Sequence, residues 1–140
     1  MAIKKPSPIP LLTPKEAWQR LAHQPEAVLV DVRCRAEWLF VGVPDTSPLG
    51  KKVLFVEWQD MAGMQNPNFM EEIKAVAEGN AQLLMLCRSG QRSQLAAEAA
   101  VACGMHAANI TSGFEGDLDS HHKRKSINGW CADGLPWRQL

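Results

Sequence analysis

Two apolar runs limit the folds open to this chain more than anything else in it. Ala27-Val28-Leu29-Val30-Asp31-Val32 and Leu83-Leu84-Met85-Leu86 are almost unbroken, and each ends in polar residues. A strand with one wet face alternates apolar and polar side chains. A continuous run fits a strand covered on both sides, as in parallel sheets flanked by helices. Residues 53–56 and 107–110 supply two more strand candidates, and residues 9–12 a short edge strand where proline is tolerated. Helical patterns stand between them. Thr13 caps a helix with Pro14 at its first position and Glu16 completing a capping box; Ala17, Trp18 and Leu21 mark its face, and Pro25 ends it. Residues 35–40 form a short helix. Asn68 caps a further one, with Ile73, Val76 and Ala77 as its apolar face and Gly79 as its stop. Gly113-Phe114-Glu115-Gly116-Asp117 opens a last short helix. Strands alternating with helices predict one α/β sheet with helices on both faces, and ligands at the carboxyl ends of its strands.

One strand end carries chemistry. Cys87-Arg88-Ser89-Gly90-Gln91-Arg92-Ser93 joins the 83–86 strand to a helix over residues 93–103. A thiol becomes a nucleophile by losing its proton, and unpaired N–H groups at a helix start favour the anion, as do Arg88 and Arg92. Cys87 is therefore the candidate nucleophile rather than a small buried hydrophobe. Gly90 lets the loop curl and aim successive N–H groups inward. Arg88 and Arg92 hold an oxyanion, with Ser89 and Gln91 contributing from the loop. Ser93 either caps the helix or donates to the sulfur. At the other strand end, Asp31 supports the loop, and Arg33 reaches the anion site or pairs with Glu37 four residues on.

The bulk numbers exclude several classes. At 140 residues the chain makes one domain. Lys plus Arg and Asp plus Glu are both 15, so no global field points to nucleic acid. The basic run His121-His122-Lys123-Arg124-Lys125 reads as a solvated turn. No signal-peptide core follows Lys4 and Lys5, and no segment approaches the roughly twenty apolar residues that span a bilayer. A cytoplasmic protein is expected. The four cysteines, Cys34, Cys87, Cys103 and Cys131, form no zinc-binding spacing and read as free thiols. Cys34 is either an inert thiol or a resolving partner of Cys87. Gly104 ends the helix before His106.

Leu29-Val30-Asp31-Val32-Arg33 with Glu37-Trp38, the segment from Leu84 through Ser93, and Asn109-Ile110-Thr111-Ser112-Gly113-Phe114-Glu115-Gly116 together resemble a single-domain rhodanese of the sulfurtransferase family. The resemblance implies a central parallel sheet of about five strands with helices on both faces. It implies sulfur transfer from a donor such as thiosulfate, through a Cys87 persulfide, to cyanide or a thiol on a small or protein acceptor. It implies no metal or organic cofactor. The family's Gly-His-Ile-x-Gly-Ala stretch is replaced here by Gly42-Val43-Pro44-Asp45-Thr46-Ser47, which changes the local loop. Two other classes stay open. Cysteine phosphatases and arsenate reductases share the fold but use Cys-x5-Arg, one residue longer than Cys87 to Arg92. Some rhodanese-like domains bind partners without catalysis. The expected layout is a proline-rich lead-in over 1–12, the domain over 13–119, and an extension over 120–140 packed on it, with Trp130 and Trp137 as packing anchors.

Overall fold

A computed structural model describes residues 8–140, so the proline-rich lead-in expected over the first positions lies largely outside the described residues. In chain order the elements are β1 (Leu11–Leu12), α1 (Pro14–His23), β2 (Ala27–Asp31), α2 (Arg35–Phe40), β3 (Val43–Pro44), a 3-10 turn (Ser47–Leu49), β4 (Leu54–Phe55), α3 (Phe69–Val76), β5 (Gln82–Leu86), α4 (Gln91–Ala102), β6 (His106–Ile110) and β7 (Trp137–Arg138). Five strands make the central sheet in the order β1-β6-β5-β2-β4, and every pairing in it is parallel.

The unbroken apolar runs are explained by two cores, one on each face. Successive side chains along a strand point to opposite faces. Val30, Leu83 and Met85 meet Phe69 and Ile73 of α3 and Ala96, Ala97 and Ala100 of α4. Ala27, Leu29, Leu84, Leu86, Ala108 and Ile110 meet Ala17 and Leu21 of α1, with Phe114 and Trp130. Alanines on α4 let that helix lie close to the sheet. Each fully buried Leu stabilises the fold by roughly 1.5–3 kcal/mol.

The register places Val30 beside Met85 and Asp31 beside Leu86. Cys87 therefore continues the α3/α4 face, whose core includes it together with Val32. Asp31 and Arg33 continue the opposite face.

The start of α1 is as expected: Thr13 Oγ1 accepts from Glu16 N–H at 3.1 Å, and Glu16 Oε1 accepts from Thr13 N–H at 3.0 Å. Other boundaries differ. Asn68 makes no side-chain cap on α3; its own N–H donates to Asn66 Oδ1 at 3.0 Å. The helix ends at Val76, before Gly79. β4 has two paired residues rather than four. α4 begins at Gln91, two residues before the expected start, because Gly90 takes the N-cap position. Residues 111–115 form turns, and no helix opens over 113–117. Toward the end of the chain, β7 pairs antiparallel with β3, Trp130 is fully buried, and its indole N–H donates to the Pro136 carbonyl at 2.7 Å. Trp137 stays partly exposed, its ring edge-on to Phe114 with Lys125 Nζ 4.6 Å from its centroid. The basic run wraps around Asp119, whose carboxylate accepts from the N–H groups of His121 and Lys123.

Candidate active site

Cys87 leaves the end of β5, and α4 opens four residues later. The intervening backbone is held from outside. Phe114 N–H donates to the Cys87 carbonyl at 2.7 Å. The N–H groups of Glu115 and Gly116 donate to the Arg88 carbonyl at 3.0 and 3.1 Å. Asn109 Nδ2 donates to the Gly90 carbonyl at 3.1 Å. In a trans peptide the N–H points opposite to the C=O. Tying these three carbonyls outward turns the N–H groups of Arg88, Ser89 and Gln91 away from those partners and into the loop. Gly90 N–H lies 3.1 Å from Cys87 Sγ. Successive inward N–H groups at a helix start form a concavity suited to anions.

Two glycines make this curl possible. Gly90 has φ +107°, and a Cβ there would lie 2.1 Å from the Thr111 carbonyl oxygen. Gly113 has φ +66° and sits against the Cys87 and Arg88 carbonyls, where a Cβ would come within 2.5 Å. The Gly113 turn, expected as a helix, is instead the clamp on the loop.

A cavity of about 170 Å³ is lined by Gln59, Cys87, Arg88, Ser89, Gln91 and Arg92. Of the loop residues, Cys87, Arg88, Ser89, Gln91 and Arg92 line it, and Gly90 and Ser93 do not. Larger grooves elsewhere, such as that of about 440 Å³ lined partly by Pro8, Leu84 and His106, are lined by no cysteine, so size does not select the site. Cys87 is 1% exposed. Its sulfur lies 3.1 Å from Ser93 Oγ, and Ser93 is fully buried in the first turn of α4. Ser93 does not cap the helix.

Arg92 lines the cavity but is not a free charge. Its Nη1 and Nη2 donate to Glu37 Oε1 and Oε2 at 2.5 and 2.9 Å. Burial pushes the Glu37 carboxyl up, but the Arg92 hydrogen bonds and charge, with the Cys34 N–H, outweigh it and hold Glu37 down at about 2. Arg88 makes no ion pair among the described residues.

Arg33 and Asp31 require correction. Arg33 does not reach the anion site and does not pair with Glu37. It is fully buried, donates from Nε and Nη2 to Asp31 and from Nη2 to the Gly42 carbonyl at 2.8 Å, and lies 4.2 Å from the centroid of Phe114. Asp31 is occupied by that pair and takes no hydrogen bond from the active loop. Both face away from Cys87 because their positions along β2 have the opposite parity. Cys34 is buried at the start of α2, and burial pushes its thiol up, which disfavours a reactive role. Cys131 is half-buried and pushed up to about 11, burial being the main cause.

Sequence reasoning missed Asn109, Gln59 and the Arg92–Glu37 pair. Asn109 carried a usable signal: a polar residue near the carboxyl end of an otherwise apolar strand, like Asp31.

The chain matches the family model described as the Rhodanese-like domain over residues 13–119. It is 34% identical over 126 residues to protein RC0915 of Rickettsia conorii, covering 88% of this chain and 92% of that one. The crystal structure of Rv0390 from M. tuberculosis superposes with a TM-score of 0.90 at 49% identity, covering 96% of this chain and all of that one. The polysulfide-sulfur transferase homodimer of Wolinella succinogenes, at 19% identity and TM-score 0.57 over 94% of this chain and 80% of that one, shares the fold. With the loop, the parallel sheet and these likenesses in agreement, the chain belongs to the rhodanese-like domain family.

Proposed function

We propose that the protein is a thiosulfate-type sulfurtransferase with Cys87 as nucleophile. One observation carries the reading: Cys87 lines a small polar cavity together with Arg88, and the Gly90 N–H lies on its sulfur. The Cys87 thiolate attacks the outer sulfur of thiosulfate. A new S–S bond forms at Cys87, the old bond to the sulfite sulfur breaks, and its electron pair leaves with sulfite. The negative terminal sulfur of the persulfide then lies among the loop N–H groups, with Arg88 as the nearby cation. A thiolate or cyanide next attacks that terminal sulfur, and Cys87 leaves as thiolate. The cycle is ping-pong.

Ser89 and Gln91 contribute cavity wall and backbone N–H groups, and Gly90 the curl. The cavity of about 170 Å³ suits a small donor better than a bulky ester. Four free thiols, one of them catalytic, suit a reducing cytoplasmic setting. Intact mass after incubation with thiosulfate tests the reading. Wild type gains one sulfur atom, lost again on adding cyanide, and Cys87→Ser gains none. Absence of uptake by wild type, with a small-molecule persulfide and a protein persulfide also failing as donors, leaves a partner-binding module as the better description.

A further inference from the structure

Ser93 has one hydroxyl hydrogen and two neighbours placed to receive it. Its Oγ is 3.1 Å from Cys87 Sγ and 2.6 Å from Asn109 Oδ1. Asn109 cannot turn over to suit it. Its other end, Nδ2, lies 3.1 Å from the Gly90 carbonyl and 3.0 Å from Gln94 Oε1. A backbone carbonyl only accepts, so the amide nitrogen must face Gly90 and the amide oxygen must face Ser93. A hydroxyl 2.6 Å from an amide oxygen donates to it. The hydrogen between Oγ and Sγ is then the thiol's own.

We infer that Asn109 is a positioning residue that holds the Ser93 hydrogen away from Cys87, so that the thiol rests as a donor to Ser93 and ionises against the cost of turning that hydroxyl. The inference rests on Cys87 being the reacting thiol. When Cys87 ionises, its proton goes to bulk water. The Ser93 hydroxyl then either turns to the sulfur, leaving buried Asn109 Oδ1 without a donor, or stays and leaves the anion one donor short. Both outcomes penalise the free thiolate. A persulfide relieves the conflict. Its negative charge sits on the terminal sulfur, Sγ carries no hydrogen, and Ser93 returns to Asn109. The arrangement therefore favours the sulfur-loaded form over the bare thiolate.

Other charges near Cys87 are Arg88 and Arg92 on the loop and α4, and Glu37 behind Arg92. The buried Asp31–Arg33 pair lies across β2, the Cys34 thiol lies at the start of α2, and Glu115 lies in the clamping turn. Asn109 hydrogen-bonds to none of them, and changing it leaves each in place.

The test is the pH profile of Cys87 alkylation by iodoacetamide, read by peptide mass so that the other thiols do not interfere. Asn109→Leu frees the Ser93 hydroxyl for the sulfur. Its midpoint moves down by about one pH unit, giving about tenfold more thiolate at any pH below both midpoints. In a Ser93→Ala background the same change has no such effect. Asn109→Asp keeps an acceptor facing Ser93, and its midpoint does not fall. An equal downward shift in both backgrounds, or in both Asn109 variants, means a loosened loop and overturns the inference, as does an unmoved midpoint in Asn109→Leu. A second reading needs no Asn109 variant. The Cys87 S–H infrared stretch, assigned by its loss in Cys87→Ser, moves to higher frequency in Ser93→Ala. A band that stays put shows that the thiol does not donate to Ser93 and also sinks the idea. Neither readout requires sulfur transfer, so failure here is separable from failure of the proposed activity.

Discussion

Glu37 of α2 and Arg92 of α4 are joined by two hydrogen bonds, 2.5 and 2.9 Å long, and the same Glu37 Oε1 also accepts from Cys34 N–H at 3.2 Å. The carboxylate thus ties the start of α2 to the end of the active loop. Its acidity gives a pH prediction. Glu37 is held at about 2 in the folded protein against an ordinary 4.5. A lowered folded value means the unfolded chain binds the proton more readily between those limits. The stabilisation is complete above the ordinary value and is lost as pH falls toward 2. Glu37→Gln lacks it. The urea midpoints of wild type and Glu37→Gln should differ near neutral pH and converge as pH drops to about 2. A gap that stays constant across that range means the pair contributes no charge-dependent stability.

The same pair separates the two loop arginines. Arg92 is neutralised by Glu37, whereas Arg88 faces the cavity with no ion pair among the described residues. Arg88→Ala should therefore act on capture of the donor anion. KM for thiosulfate rises about tenfold, the loss of one charge-assisted contact, while kcat changes much less. Arg92→Ala should instead lower the unfolding midpoint, by unpairing Glu37. Equal KM effects from both substitutions would contradict this division.

Gly90→Ala tests the loop itself. The residue has φ +107°, and the added Cβ would meet the Thr111 carbonyl oxygen at 2.1 Å. Backbone atoms on both sides cannot yield cheaply. We expect a loss of about 2–4 kcal/mol in stability, from the positive φ and the displaced Thr111 together. Sulfur uptake by the folded fraction should be impaired as well, because the Gly90 N–H on Cys87 moves. A variant with wild-type stability and uptake would show that the loop tolerates another backbone path.

Much of this was legible in the sequence, for physical reasons that also mark where legibility stopped. Continuous apolar runs have one simple explanation, burial on both faces, so the parallel sheet followed from residues 27–32 and 83–86. The Cys87 loop was legible because glycine, arginines and a helix start have local effects. Tertiary partners were not. Nothing near Arg92 in sequence names Glu37, 55 positions away. Nothing near Cys87 marks Gly113 as its clamp, and the Gly113–Gly116 spacing also suits a helix start. Arg33 is the instructive case. Its place after a strand end suggested an anion ligand, yet parity alone separates it from Cys87. With β2 and β5 parallel and Val30 beside Met85, odd positions of β5 share a face with even positions of β2.

Arg33 and Cys87 lie on opposite faces of the sheet, so the buried pair and the sulfur site respond to substitution separately. Arg33 and Asp31 are both fully buried and bonded to each other, with the guanidinium also on Phe114 and on the Gly42 carbonyl. Removing one partner of a buried pair leaves the other charge uncompensated, which costs about 3–5 kcal/mol. Arg33→Met should lower the unfolding midpoint accordingly. Replacing both, as Asp31→Leu with Arg33→Met, should cost much less, because no charge is left buried alone and similar volume is restored. In either background the folded protein should bind thiosulfate with an unchanged KM, since the pair lies on the face of the sheet opposite the sulfur. A tenfold rise in KM with little loss of stability would return Arg33 to the anion site and would mean that the side chain leaves its pair with Asp31 when the donor binds.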